Sequence, residues 1–173
     1  MELFIIYIGG AHPQSLIEVH DIRFVVAESL EKTYNFLKES WWGTPRSLHI
    51  DAWGILRQAD GYDISFGAHE PSCNKKLFYI NVGGYDHSQF TELHKNIFVV
   101  AEDEKEARKK AIGLVRGWKA VHKDNLYDID NMLNLSDVLS NDLKLQLTRS
   151  NEERVFEFNC CYLPIARLKG TSD

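Results

Sequence analysis

The chain predicts an α+β fold built as a tandem pseudo-repeat of β-β-α-β-β units, each an antiparallel sheet with one helix packed on a face. Three observations predict it. The sequence matches itself at an offset of 74 residues, with 12 identities in the 26 ungapped positions 3–28 against 77–102. Each copy opens on a short apolar run ending in Gly-Gly, at Gly9-Gly10 and Gly83-Gly84. Each then carries a Val/Phe-rich run followed by apolar residues at helical spacing.

The elements follow in order. Residues 3–8 and 77–82 are almost wholly apolar and read as buried strands leading into a turn or bulge at the glycine pairs. Residues 18–27 and 92–101 read as second strands; the run Phe-Val-Val-Ala-Glu stands in both copies, at 24–28 and 98–102. Helices come next. In the first copy Ser29 stands as N-cap, and Leu30, Tyr34, Leu37 and Trp41 fall at i, i+4, i+7 and i+11. In the second, Asp103 and Glu106 read as a capping box, and Ala107, Ala111, Leu114, Val115 and Trp118 form the apolar face.

Residues 48–57 and 61–66 flank Asp60-Gly61, a strong hairpin signal. The second copy keeps the first of these strands at 121–129 and then departs into a polar stretch, 131–142, that reads as an insertion. A last hairpin, 143–149 with 154–163, supplies what that copy otherwise lacks. The expected organisation is a first unit over 1–74 and a second over 75–165, followed by a flexible tail at 166–173. Units this small are near the lower limit for an independent core, so the two are expected to pack as one body.

Of 173 residues, 44% are hydrophobic and 26% charged, which excludes a disordered, collagen-like or coiled-coil chain. No apolar run approaches the roughly 20 residues of a membrane span, and the run at 3–8 lacks the basic start of a leader. The net charge of −5 belongs to residues 1–74, with 10 acidic and 5 basic side chains, the wrong sign for a phosphate backbone. Lys105, Arg108, Lys109, Arg116 and Lys119, interleaved with Glu102, Glu104 and Glu106, read as a solvated helix face. Cys73, Cys160 and Cys161 have no C-x-x-C spacing and read as reduced thiols in a cytoplasm.

In the first copy, Leu3-Phe4 through Gly9-Gly10, Glu18-x-His20-Asp21, His49-Ile50-Asp51-Ala52-Trp53 and Asp60-Gly61-Tyr62 form one ordered pattern. The second repeats it as Leu77-Phe78 through Gly83-Gly84-Tyr85, Glu92-Leu93-His94 and His122-x-Asp124. With these motifs the sequence resembles a bacterial family, the domain of unknown function numbered 1543, over residues 1–66 and again over 75–130. The resemblance implies a small bacterial, cytoplasmic protein of two tandem copies, and it implies no activity or catalytic residue.

Side chains at i and i+2 of a strand share a face, so Glu18 projects with His20, and His49 with Asp51. Histidine and carboxylate are the ligand types of zinc, iron and manganese. Glu18, His20, Glu92 and His94 are therefore candidate metal ligands, and a divalent ion the candidate cofactor. The same residue types equally serve as strand-pinning hydrogen bonds. No serine elbow, kinase set, phosphate loop or zinc-finger spacing occurs. The preferred reading is a small noncatalytic binding or interaction protein of unknown ligand, with Trp42, His49, Asp51, His122 and Asp124 as candidate contacts. The alternative is a metal-dependent enzyme or metal-binding protein built on the repeated pairs. Nucleic acid and membrane are not expected partners; a homodimer joined at sheet edges is the third alternative.

Overall fold

A computed structural model of the chain describes residues 1–86, 88–115, 128–138 and 143–168. The elements run β1 (Glu2–Gly10), β2 (Val19–Ala27), α1 (Tyr34–Ser40), β3 (His49–Ile55), β4 (Gln58–Ala59), β5 (Tyr62–Gly67) and β6 (Lys76–Tyr85). They continue with β7 (Glu92–Ala101), α2 (Glu104–Val115), β8 (Asp128–Asn134), β9 (Lys144–Arg149) and β10 (Phe158–Pro164). The fold is α+β, with antiparallel pairing in both main sheets. No helix among the described residues is long and apolar enough to cross a membrane.

The chain divides into two compact units: Met1–Gln58 with Ile64–Phe66 and Glu152–Asp173, and Ala59–Asp63 with Gly67–Asn151. In the first, four strands lie in the order β10-β3-β1-β2. Alternate residues Phe4, Ile6 and Ile8 of β1 point to one face, where Tyr34, Leu37 and Trp41 of the helical segment cover them. Leu37 is wholly buried there. The helix starts later than its apolar spacing implies. A 3-10 turn, Glu31–Thr33, precedes it, and Ser29 is not its N-cap: Leu30 holds that place for the turn, without a side-chain bond. The wholly buried Thr33 hydroxyl instead donates to the Leu30 carbonyl (2.6 Å).

The second unit orders its strands β7-β6-β8, and α2 covers Phe78, Ile80 and Val82 with Ala107, Ala111 and Val115. The expected cap on α2 is present: Asp103 Oδ1 accepts from the Glu106 amide, and the Glu106 carboxylate reaches back to the Glu102 amide, each at 2.8 Å. Every β6–β7 pair from Lys76↔Ala101 to Gly84↔Leu93 is a β1–β2 pair with 74 added to both numbers.

Three expectations need correction. The glycine pairs lie inside β1 and β6 rather than at turns. The positive backbone φ angles in the described residues fall instead at Asp60 (50°) and Gly61 (76°), as the β4–β5 turn requires. Residues 131–134, read as insertion, continue β8, and Leu135 just beyond is fully buried. The C-terminal hairpin does not form: β10 pairs with β3 of the first unit, in register Cys160↔Ala52 and Leu163↔Ile50. Burial decides this, because Leu163, Ile165 and Ala166 pack into the first core.

Candidate functional site

β1 is flanked by β2 and β3, and Gly9 stands directly opposite His20 on one side and His49 on the other. Paired residues project to the same face, here the face away from α1. With no side chain on Gly9 between them, the neighbours close over it: a Cβ there would lie 2.7 Å from both Asp51 Oδ2 and His20 Cδ2. Asp51 owes its position to a bulge. The β1–β3 register passes from Tyr7↔Ala52 to Ile8↔Ile50, leaving Asp51 as the extra residue, and a bulge of this kind re-aims a side chain.

Four side chains from two stretches of chain thereby meet. His20 Nε2 lies 3.2 Å from Asp51 Oδ2 and 3.7 Å from Glu18 Oε2; His49 Nε2 lies 3.3 Å from Asp51 Oδ1 and 3.4 Å from Glu18 Oε1. His49 is 1% exposed, whereas Glu18 is half-exposed and forms the outer side of the cluster. The His49 Nδ1 contacts the Ser47 carbonyl at 2.8 Å. His49 Nε2 and Asp51 Oδ2 are buried and make no hydrogen bond. The Tyr7 ring stacks on His20 at 5.4 Å and 6°, and Tyr162 of β10 packs on His49 at 4.5 Å. Burial, reinforced by Asp51 and Asp21, pushes the Tyr7 phenol above its ordinary range. Burial, then the charges of Asp51 and Cys160, raises the Cys161 thiol likewise.

The structure therefore brings together Glu18, His20, His49 and Asp51. Trp42 has other company: its indole N–H donates to Asp21 (3.2 Å), and its ring lies against His12 and Trp41. In the second unit His94 Nε2 lies 3.9 Å from Glu92, and its Nδ1 lies 3.1 Å from Asn81 Oδ1, in the position Tyr7 holds in the first. The pairing of His49-x-Asp51 with His122-x-Asp124 is corrected by register. Gly83 stands opposite Asp128, and the bulge falls at Asp130, so these two occupy the places of His49 and Asp51. His122 and Asp124 lie outside the described residues. A sequence signal for this existed, the shared Ile-Asp of 50–51 and 129–130. Tyr7, Gly9, Ser47 and Tyr162 are neighbours of the site that no sequence motif identifies, and of these only Gly9 belongs to the repeated pattern. A concavity of about 440 Å³ lies apart from the cluster, beside β3 between Trp53, Arg57, Arg154 and Phe156. Among the described residues no group of three or more His, Cys, Asp or Glu side chains is arranged so that it could hold a metal ion.

The model of one family, described as a domain of unknown function (DUF1543), matches residues 15–66, a span that holds all four residues of the cluster. It matches once, so the second copy expected over 75–130 lies outside it. Among solved structures, the chain is similar to protein Il1583 from Idiomarina loihiensis. The two are 28% identical, the match covers 95% of this chain and 97% of that one, and the TM-score is 0.71. No curated protein sequence matches the chain.

Proposed function

We propose that this chain is a noncatalytic binding protein whose ligand site is the cluster of Glu18, His20, His49 and Asp51 over Gly9. The observation that carries the reading is the pair of buried polar atoms, His49 Nε2 and Asp51 Oδ2, that make no hydrogen bond and have only ion-pair contacts of 3.2–3.4 Å within the cluster. Each such atom costs about 1–3 kcal/mol, and a ligand that supplies its partner recovers that energy. The half-exposed Glu18 gives such a ligand a way in.

The duplicated register supports descent of both halves from one β-β-α-β-β unit. In the second half Asn81 stands for Tyr7 and Asp128 for His49, so the first half carries the site. Three free cysteines fit a reducing, cytoplasmic setting.

A thermal-shift panel of Zn²⁺, Ca²⁺, phosphate, acetate and putrescine, followed by imidazole NMR signals, tests the reading. At least one probe should stabilise the protein and shift the signals of His20 and His49. A panel in which every probe leaves both histidines unmoved overturns it.

A further inference from the structure

We infer that the concavity beside β3 is a second ligand site, for a small organic anion: a carboxylate carried on a flat, apolar body. Its lining residues all belong to the first unit, and none of them is a member of the histidine cluster.

The gap lies where the chain approaches β3 without yet pairing with it. The β10–β3 register begins at Phe158↔Gly54, so residues 154–157 precede the ladder and face residues 55–58 across an open space. Two devices hold them there. The buried Gln58 carboxamide donates to the Glu152 carbonyl (2.8 Å) and accepts from the Arg154 amide (2.7 Å). Gly54 lets the following segment lie close: a Cβ there would sit 2.8 Å from the Phe156 ring and 2.6 Å from the Glu157 carbonyl. The walls are therefore set before any ligand arrives, which lowers the cost of binding. The volume, about 440 Å³, is that of a small-molecule site, for which roughly 300–1,000 Å³ is usual.

Charge selects the sign of the ligand. Two guanidinium groups stand at the gap, Arg57 and Arg154, each more than half exposed. Arg57 donates from Nε and Nη2 to a single oxygen, Glu2 Oε1, at 3.3 and 3.1 Å, which orients its fork and leaves Nη1 for another acceptor. Arg154 has a looser partner: its Nη2 lies 3.7 Å from Glu152 Oε2, beyond hydrogen-bond reach, and Glu152 is 79% exposed. Exposed ion pairs of that kind contribute little, so an incoming oxyanion displaces this one easily. Guanidinium forks match the planar carboxylate in shape and bind it through charge-assisted hydrogen bonds. Glu157 also lines the gap and opposes a second negative charge, which favours a monocarboxylate over a phosphate ester.

The walls select the rest of the molecule. Trp53 and Phe156 are half-buried aromatic rings, the first held by Phe4 (centroids 6.2 Å) and the second by Phe158 (5.9 Å). Rings fixed in this way take flat apolar groups by offset or edge contacts. An acid without such a body leaves both rings wet.

The test titrates the full chain with benzoate, its neutral isostere benzamide, the cation benzylamine, acetate and phenyl phosphate. Binding is followed by the NMR signals of the Trp53 indole N–H, the Arg57 Nε–H and the histidine rings. Benzoate should saturate with a Kd of about 1 mM or tighter. It should shift the Trp53 and Arg57 signals together and leave those of His20 and His49 unmoved. Benzamide, benzylamine and acetate should bind at least about tenfold more weakly, and phenyl phosphate more weakly than benzoate. Arg154→Gln changes an exposed side chain; it should keep the far-ultraviolet circular dichroism and weaken benzoate at least about tenfold. Benzoate that leaves Trp53 and Arg57 unmoved overturns the inference. So does benzamide, acetate or phenyl phosphate binding as tightly as benzoate, or a folded Arg154→Gln that binds benzoate like the wild type. If benzoate shifts His20 and His49 instead, the anion belongs to the cluster and this second site is refuted.

Discussion

Gly9→Ala is the sharpest single perturbation of the cluster. The backbone at Gly9 lies within β1 and needs no glycine conformation, so the substitution acts through space alone. A Cβ there would sit 2.7 Å from Asp51 Oδ2, 2.7 Å from His20 Cδ2 and 2.9 Å from His20 Nε2. Ordinary contact is about 3.5 Å or more, so roughly 0.6–0.8 Å must be found by moving side chains. Overpacking of this kind costs about 1–3 kcal/mol. Replacing a strand glycine returns about 0.5–1 kcal/mol of backbone entropy. From the middle of each range the net loss is about 1 kcal/mol, a fall in Tm of roughly 2–4 °C for a chain of this size. Urea melts followed by circular dichroism, with the m-value checked, measure it, and the His20 imidazole signals should shift as the ring leaves Tyr7. Gly113→Ala is the matched control. A Cβ there has nothing within 4 Å, in the last turn of α2, and should stabilise by up to about 0.5–1 kcal/mol. If Gly9→Ala matches or exceeds the wild type in stability with His20 unmoved, the side chains do not close over this glycine, and the description of the site is wrong.

Leu37→Ala should cost about 2–5 kcal/mol, because it opens a cavity under the first sheet at a fully buried position; a midpoint shift worth under about 1 kcal/mol in urea would show that α1 is not the cover of that core. Asp103→Ala should cost about 0.5–2 kcal/mol through the lost cap on the Glu106 amide, and Asp103→Asn much less, read by thermal melts of both. Burial pulls the Asp21 carboxyl upward, but hydrogen bonds from Arg23, Trp42 and the Ile22 amide outweigh it and hold the group below its ordinary range. A depressed value means stability present above the ordinary carboxylate range and lost as pH falls through the depressed one. Asp21→Asn should therefore flatten the acid limb of Tm against pH, and an unchanged limb would count against this ion pair.

Much of the framework was readable because it rests on local rules. Apolar runs, the Asp60-Gly61 turn and the Asp103/Glu106 cap each act within a few residues, and each is found where expected. The offset of 74 carried further, since it transferred the strand register of one half to the other. The site was half readable: all four residues of the first half were named, yet nothing in a spacing of i and i+2 tells that two such pairs meet over a glycine. That requires knowing that β1 lies between β2 and β3. Gly9 reads as a turn or bulge for the same reason, since the side chains that fill its place come from other strands. The Asp128 and Asp130 equivalence is hidden because histidine is not repeated at these places, whereas the feature preserved is the bulged aspartate. The partner of β10 was unreadable from alternation, which sets a strand's faces but not the edge it joins.

The pairing of β10 with β3 sets an order of events for a chain leaving the ribosome. Cys160 joins Ala52 across 108 positions, and all of β6, β7, α2 and β8 is made between them. Throughout that interval β3 presents a bare edge, the kind of template on which nascent chains pair wrongly. Tyr162, the wall against His49, arrives only with the closing strand. The first unit begun is thus the last finished, and its histidine cluster acquires the Tyr162 contact after the second unit's main sheet has been synthesised.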